Sequence, residues 1–191
     1  MILEAIVTTI NEDGTTNISP MGPEVSEAFD SFTLKPFQTS QTYKNLCRNS
    51  TGVLHVTDDV LLLAKSAVGS VDPAPRMMEI EGVDGKILSD ACRWYAFRVS
   101  AIDSSEPRTR IECQVTNRGR LRDFFGFNRA KHAVLEAAIL ATRINFLPIE
   151  QIQDDFERLL VIVQKTAGEQ EREAFQFLTE FVQSQMNSSK H

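Results

Sequence analysis

The sequence predicts an α+β protein, mainly a small β-barrel, with a helical unit at its C-terminal end. Several short β-branched or alternating segments, separated by turn signals, fill the first two thirds of the chain. After Gly126 the apolar period changes from that of strands to that of helices. With 191 residues, 42% of them hydrophobic and 24% charged, the chain suits one domain, or one domain with a small extension, and can bury a sizeable core. The expected division is 1–125 for the barrel and 126–191 for the helical unit.

The elements follow in order. Leu3 to Ile10 reads LEAIVTTI, a β-branched run. The turn Asn11-Glu12-Asp13-Gly14 comes next, its Asp-Gly pair a strong reversal signal, and Thr15 to Ser19 completes a hairpin. Further strands are expected at Phe29 to Leu34, Gly52 to Thr57, Trp94 to Ile102 and Arg108 to Thr116. In the last, Ile111, Cys113 and Val115 alternate with Arg110, Glu112, Gln114 and Thr116, the period of a half-buried antiparallel strand. A short helix ending near Arg48 is expected to bury Tyr43, Leu46 and Cys47. Asp58 to Val68 reads as another, begun by the acids Asp58 and Asp59. Asp72 to Pro75 is a loop and Gly82 to Lys86 a turn.

Three helices are expected beyond Gly126. Asn128 is a good N-cap for Arg129 to Phe146, whose Ala, Leu and Ile run nearly round its circumference and which Pro148 should end. Ala137, Ala138 and Ala141 would let another backbone come close, while Arg129, His132, Glu136 and Arg143 form a narrow polar stripe. Ile149 to Lys165 carries Ile152, Phe156, Leu159, Leu160 and Val163 on one face. Glu171 to Gln185 does the same with Phe175, Leu178, Phe181 and Val182.

Composition excludes several classes. A net charge of −6 argues against wholesale binding to nucleic acid or anionic membrane, and no apolar run is long enough to span a bilayer. The start, Met1 to Ala5, lacks the basic region of a secretory signal, so a cytoplasmic setting is the default expectation. Cys47, Cys92 and Cys113 are scattered, without metal-site spacing, and read as core thiols; no metal is expected.

The chemistry concentrates in Thr39-Ser40-Gln41-Thr42-Tyr43-Lys44-Asn45, which gathers hydroxyls, amides, a phenol and an ammonium at a helix start. Ser40 or Thr39 would cap that helix. Its first-turn N–H groups lack intrahelical partners and the dipole adds partial positive charge, so the segment reads either as a cap alone or as a cap that also cradles an anion. A second anomaly lies downstream. Between Arg108 and Lys131 there are seven basic residues against two acids, and Arg129 and Lys131 sit in a helical first turn, where cations are unfavourable. Either a bound anion offsets them or their side chains bend back to carboxylates or water.

Four segments resemble the domain-of-unknown-function 447 family, relatives of flavin reductases: EAIVTTINEDGTTNISPMG (Glu4 to Gly22), KPFQTSQTYKNL (Lys35 to Leu46), GVLHVTDD (Gly52 to Asp59) and GFNRAKHAVLEAAILATR (Gly126 to Arg143). The resemblance implies an FMN-binding split β-barrel, a C-terminal three-helix subdomain, and a homodimer with FMN near its interface. Carried over by position, Thr39, Ser40, Thr42, Tyr43 and Asn45 fall in the phosphate-side segment. Ser19, Met21 and Gly22 fall on the strand expected along the isoalloxazine, with Gly22 permitting close approach. Asn128, Arg129 and Lys131 match the helix start that reaches the same cofactor from the barrel's side or across the dimer.

FMN itself carries hydride and electrons, so no catalytic acid or nucleophile is required, and no catalytic residue is assigned. His55, in a strand, reads as a hydrogen-bonded structural histidine; His132 pairs with Glu136 or lines the pocket; Met77 and Met78 fill core gaps. The function implied is an FMN-dependent oxidoreductase using NAD(P)H or another reductant. The alternative is a non-catalytic FMN-binding or electron-transfer protein.

Overall fold

The computed structural model describes residues 1–188, and in it the chain forms two compact units, each built from two stretches of sequence. The first comprises Met1–Thr57 and Pro73–Phe124; the second comprises Asp58–Asp72 and the chain from Phe125.

The first unit is built on a seven-stranded antiparallel sheet. Its strands are β1 (Ala5–Ile10), β2 (Thr16–Met21), β3 (Glu24–Val25), β4 (Ser31–Leu34), β5 (Thr51–Val56), β8 (Arg93–Asp103) and β9 (Arg110–Arg120), with β6 (Met77–Met78) and β7 (Ile87–Leu88) paired apart from it. The order is β2-β1-β5-β8-β9-β4-β3. Its two edge strands, β2 and β3, are joined by Gly22 and Pro23 alone. From Met21 to Glu24 the chain can reach about 11 Å. Flat, seven strands would hold their edges about 29 Å apart, so the sheet must curl until they meet. The result is a split barrel, with Met1 to Leu3 laid along the seam: Leu3 N–H donates to Pro23 O and Val25 N–H to Met1 O. Two irregularities in the β8–β9 ladder, at Ala96/Phe97 and Val99/Ala101, supply local bend.

One face of the curl encloses Ala5, Val7, Phe32, Leu34, Leu54, Tyr95, Phe97, Ile111 and Cys113, joined by Leu46 of helix α1 (Gln41–Asn49). The Phe32 and Phe97 rings meet edge to face at 5.1 Å. The other face packs Val53, Trp94 and Ala96 against Ile87 of β7. His55, on β5, is fully buried between the two layers. Its Nδ1 lies 3.2 Å from Ile6 O, and Leu88 N–H donates to Nε2 at 3.1 Å, which fixes the proton on Nδ1. Burial pushes its pKa down to about 4 against the Ile6 carbonyl, so it is a neutral clasp, as the structural reading of His55 required.

The expected hairpin turn forms, with Gly14 at φ +83° and Gly14 N–H donating to Asn11 O. Strand β4 starts at Ser31, two residues later than expected, because Phe29 adopts φ +55° in a turn where its N–H donates to Ser26 O. The apolar face of α1 also differs from expectation. Thr42, Asn45 and Leu46 are the buried positions, and Cys47 is exposed, unlike Cys92 and Cys113. Hydrogen bonds from Asn45 to β1 turn the helix by about one position, which no count of apolar residues registers.

The second unit packs α2 (Val60–Ala67), α3 (Arg129–Ala141), α4 (Ile149–Thr166) and α5 (Glu169–Ser188). Helix α3 is its centre, touching the other three through a buried face of Ala130, Ala133, Val134, Ala137, Ala138 and Ala141. It ends at Ala141, short of the expected Phe146. Arg143 N–H turns back to Leu140 O and Phe146 N–H to Arg143 O, tightening the chain into three-residue turns that leave Phe146 exposed. Pro148 does not stop α3; it stands at the N-cap of α4.

Candidate functional site

Helix α1 begins as a donor-rich end. Ser40 is its N-cap: Tyr43 N–H donates to Ser40 Oγ at 3.2 Å, and the Ser40 hydroxyl donates to Phe37 O at 2.7 Å. The cap therefore engages the Ser40 hydroxyl as both donor and acceptor. Lys44 N–H returns to Ser40 O, which leaves the first-turn amides of Gln41 and Thr42 with no acceptor among the described residues. Thr39 and Lys44 are exposed beside them. The Tyr43 hydroxyl lies 3.0 Å from Ser104 Oγ.

Behind that end lies a polar brace to the β1–β2 hairpin. Asn45 is fully buried, and all four of its amide capacities are occupied. Its Nδ2 donates to Thr9 Oγ1 at 3.0 Å and Asn11 Oδ1 at 2.8 Å; its Oδ1 accepts from Gln41 Nε2 at 2.9 Å and Arg48 Nη2 at 3.0 Å. One end of the Asn17 carboxamide, from β2, lies 3.2 Å from Thr9 Oγ1 and 3.1 Å from Thr42 Oγ1. Thr42 is itself buried. Asn45 thus holds the helix in place from behind. Nothing in the sequence period singles out Asn17; only the pairing Thr9↔Asn17 brings it to the helix.

Strand β2 supplies a second feature. Asn11 N–H donates to Thr15 O, so alternation makes Thr9↔Asn17 and Val7↔Ser19 the hydrogen-bonded pairs. Ile18 and Pro20 then direct their backbone groups away from β1, to an open edge, where a proline is tolerated. Gly22 is exposed, without a positive φ, and a Cβ there would meet only Ile2 Cγ2 at 3.2 Å.

Two hollows flank this edge. One, of about 580 Å³, is lined by Asn11, Glu12, Asp13 and Gln41. Hydrogen bonds from Thr15 hold the Asp13 carboxyl below its usual range, so it is charged near neutrality and repels an anion. The other, of about 480 Å³, is lined by Thr16, Pro75, Met77, Met78, Glu79 and Lys86.

Asn128, Arg129 and Lys131 belong to the second unit. Asn128 Oδ1 accepts from Ala130 N–H at 2.8 Å and Lys131 N–H at 3.2 Å, and Asn128 Nδ2 donates to Thr166 O. Lys131 Nζ pairs with Glu171 at 2.8 Å and donates to Asp58 O at 2.7 Å, so a carboxylate from α5 offsets the misplaced cation. Arg129 is exposed, as are His132 and Glu136. That same unit carries an apolar groove of about 540 Å³ between α4 and α5, lined by Phe156, Leu160, Val163 and Phe175 among others. Among the described residues no cluster of His, Cys, Asp or Glu could hold a metal ion, and no helix is long and apolar enough to cross a membrane.

The fold is similar to that of an FMN-bound protein from Methanosarcina mazei, with a TM-score of 0.81 and 22% identity over 94% of each chain. The flavin reductase of styrene monooxygenase from Pseudomonas putida matches with a TM-score of 0.53 and 13% identity, over 63% of this chain and 81% of that one. An FMN-binding protein from Thermus thermophilus, with bound 1-cyclohex-2-enone, gives 0.51 and 15% over 62% and 70%. Residues 3–122 match the model of the protein of unknown function (DUF447) N-terminal domain, and residues 128–180 match its companion, protein of unknown function (DUF447). Matched over both units, the chain belongs to the DUF447 family.

Proposed function

We propose that the chain is an FMN-binding flavoprotein of flavin reductase type, with the FMN phosphate at the start of α1 and the ring system along the open edge of β2. The observation that carries this reading is the pair of unpartnered amides on Gln41 and Thr42, held by a buried brace beside an unpaired strand edge. That donor set fits a phosphate, and the M. mazei neighbour that matches nearly the whole chain is FMN-bound. In this reading Thr39, Gln41 and Thr42 line the phosphate, Ser40 and Asn45 position it, and Ser19, Met21 and Gly22 border the ring. The chemistry FMN supplies when bound is hydride and electron transfer. The chain's own work is to orient it and admit the reductant.

A homodimer belongs to the same proposal. Residues 100–103 of β8 and 116–120 of β9 have a strand on one side only, edges that a second copy would cover. Light scattering on purified protein checks this, with a dimer mass expected.

Titration with FMN and with riboflavin tests the binding. FMN is expected to bind at least about tenfold more tightly, since a charged phosphate gains more than one hydrogen bond. Equal affinities would remove the phosphate site. Anaerobic NADH or NADPH added to the FMN-loaded protein then tests the reaction: bleaching of the oxidised-flavin band is the outcome for a reductase, and an unchanged band points to an electron carrier.

A further inference from the structure

The helical unit holds out two phenylalanines that its own core does not use. Phe125 and Phe127 are 89% and 106% exposed, although each ring could bury about 150–250 Å². Both are held in place. Phe125 N–H donates to Asp58 Oδ2 at 2.8 Å, and Asn128, next to Phe127, donates from Nδ2 to Thr166 O while its Oδ1 caps α3. Gly126 between them takes φ +114°, which side chains disfavour, so the turn carries both rings on a defined backbone. A braced aromatic pair loses little freedom on binding, which suits it to anchor an interface.

The same unit offers the complementary half. The α4–α5 groove, about 540 Å³, has walls of Phe156, Leu160, Val163 and Phe175, and its size lies among pockets that take a ligand of two rings. Its charge is opposite to that of the turn. Helices α4 and α5 carry eight acids against three bases, and the groove presents Glu157 and Glu180 against Arg172. Beside Phe127 stands the exposed Arg129, with no carboxylate partner among the described residues. The Asn128–Thr166 bond ties the turn to the end of α4, three residues from Val163, so turn and groove are neighbours on one unit. A one-way insertion between copies would leave a free turn and a free groove for further copies, whereas a reciprocal one closes.

We infer that the C-terminal unit is a self-association surface whose occupant is a second copy of this chain. Phe125 and Phe127 of each copy seat in the α4–α5 groove of the other about a two-fold axis, with Arg129 against the acids of the groove. Two rings given and two received bury about 600–1,000 Å² per copy, which brackets the roughly 800 Å² per partner of a stable interface. This contact rests neither on the FMN reading nor on the β-edge pairing proposed above.

Sedimentation equilibrium, with and without added FMN, compares wild type with Phe125→Ser/Phe127→Ser and with Leu160→Asp at the groove. Both phenylalanines are exposed, so the double variant keeps the wild-type fold, which its circular dichroism checks. Its dissociation constant is expected to rise at least about hundredfold, tenfold for each anchor lost, and Leu160→Asp should weaken association as well. A monomeric wild type overturns the proposal. Variants that associate as tightly as wild type overturn it too, and leave the strand edges as the dimer contact. The place of the contact is read separately: Phe127 is replaced by the photocrosslinker p-benzoylphenylalanine, and isotope-labelled and unlabelled copies are mixed and irradiated. Crosslinks between copies into α4 and α5 are expected; crosslinks into the barrel of the second copy, or only within one copy, overturn the exchange.

Discussion

Gly22 and His55 show that residue type alone does not give a residue's role. The backbone at Gly22 does not require glycine, since its φ is not positive and a Cβ would touch only the tip of Ile2, itself 63% exposed. Gly22→Ala should therefore leave the urea midpoint almost unchanged, within about 0.5 kcal/mol. If the flavin ring lies on this strand, the same change weakens FMN binding severalfold; unaltered binding takes Gly22 out of the site. His55 is the reverse case, a polar group whose place is structural. Its folded pKa of about 4 lies below the ordinary 6.5, so the unfolded chain takes up the proton first as pH falls. Its contribution is fully present above pH 6.5 and is lost between there and about 4. At about 1.4 kcal/mol per unit, the loss reaches about 3 kcal/mol. Denaturant midpoints measured from pH 7 to 4 should fall accordingly, and His55→Gln should flatten the slope.

At the scale of the elements, caps and pairs decide where helices start. Asn128→Ala removes the acceptor for two amides of α3 and a donor to Thr166, and should cost about 1–2 kcal/mol in chemical denaturation. Lys131→Met strips a nearly buried Glu171 of its cation; a loss of about 3 kcal/mol is expected, seen as a lower melting temperature. Burial raises the Glu171 carboxyl, but bonds from Lys131 and Gly168 outweigh it and hold the pKa low, so this stability is present above about 4.5 and fades in acid. These helices also mark what the sequence could reveal. The caps Ser40 and Asn128, the Asp-Gly turn and the alternation around Ile111 were legible, because each is a local rule. Less legible were the end of α3, where apolar Ile144 and Phe146 continue the pattern past the last helical turn, and the buried face of α1, which Asn45 sets by bonding to residues 34 to 36 positions away. Asn17 escaped notice for the same reason: its meaning comes from a strand register and a helix 25 residues on.

The whole molecule combines contacts of two very different ranges. The β1–β2 hairpin closes a five-residue loop, Asn11 to Thr15, and α1 joins it through Asn45 and Asn17, all within the first 49 residues. The barrel, by contrast, is completed when β4 pairs with β9, about 80 residues along the chain. That is roughly four doublings of loop length, or about 2.4 kcal/mol more closure entropy. In refolding followed by pulsed hydrogen exchange, amides of β1, β2 and α1 should gain protection before those of β4 and β9; simultaneous protection would contradict this. The short Gly22-Pro23 link between the edge strands thus acquires a kinetic meaning. During synthesis, the brace beneath α1 can form from chain that has already emerged, while β3 and β4 wait at the far edge for a strand not yet made. For that interval the unpaired side of β4 is the molecule's exposed template for mispairing.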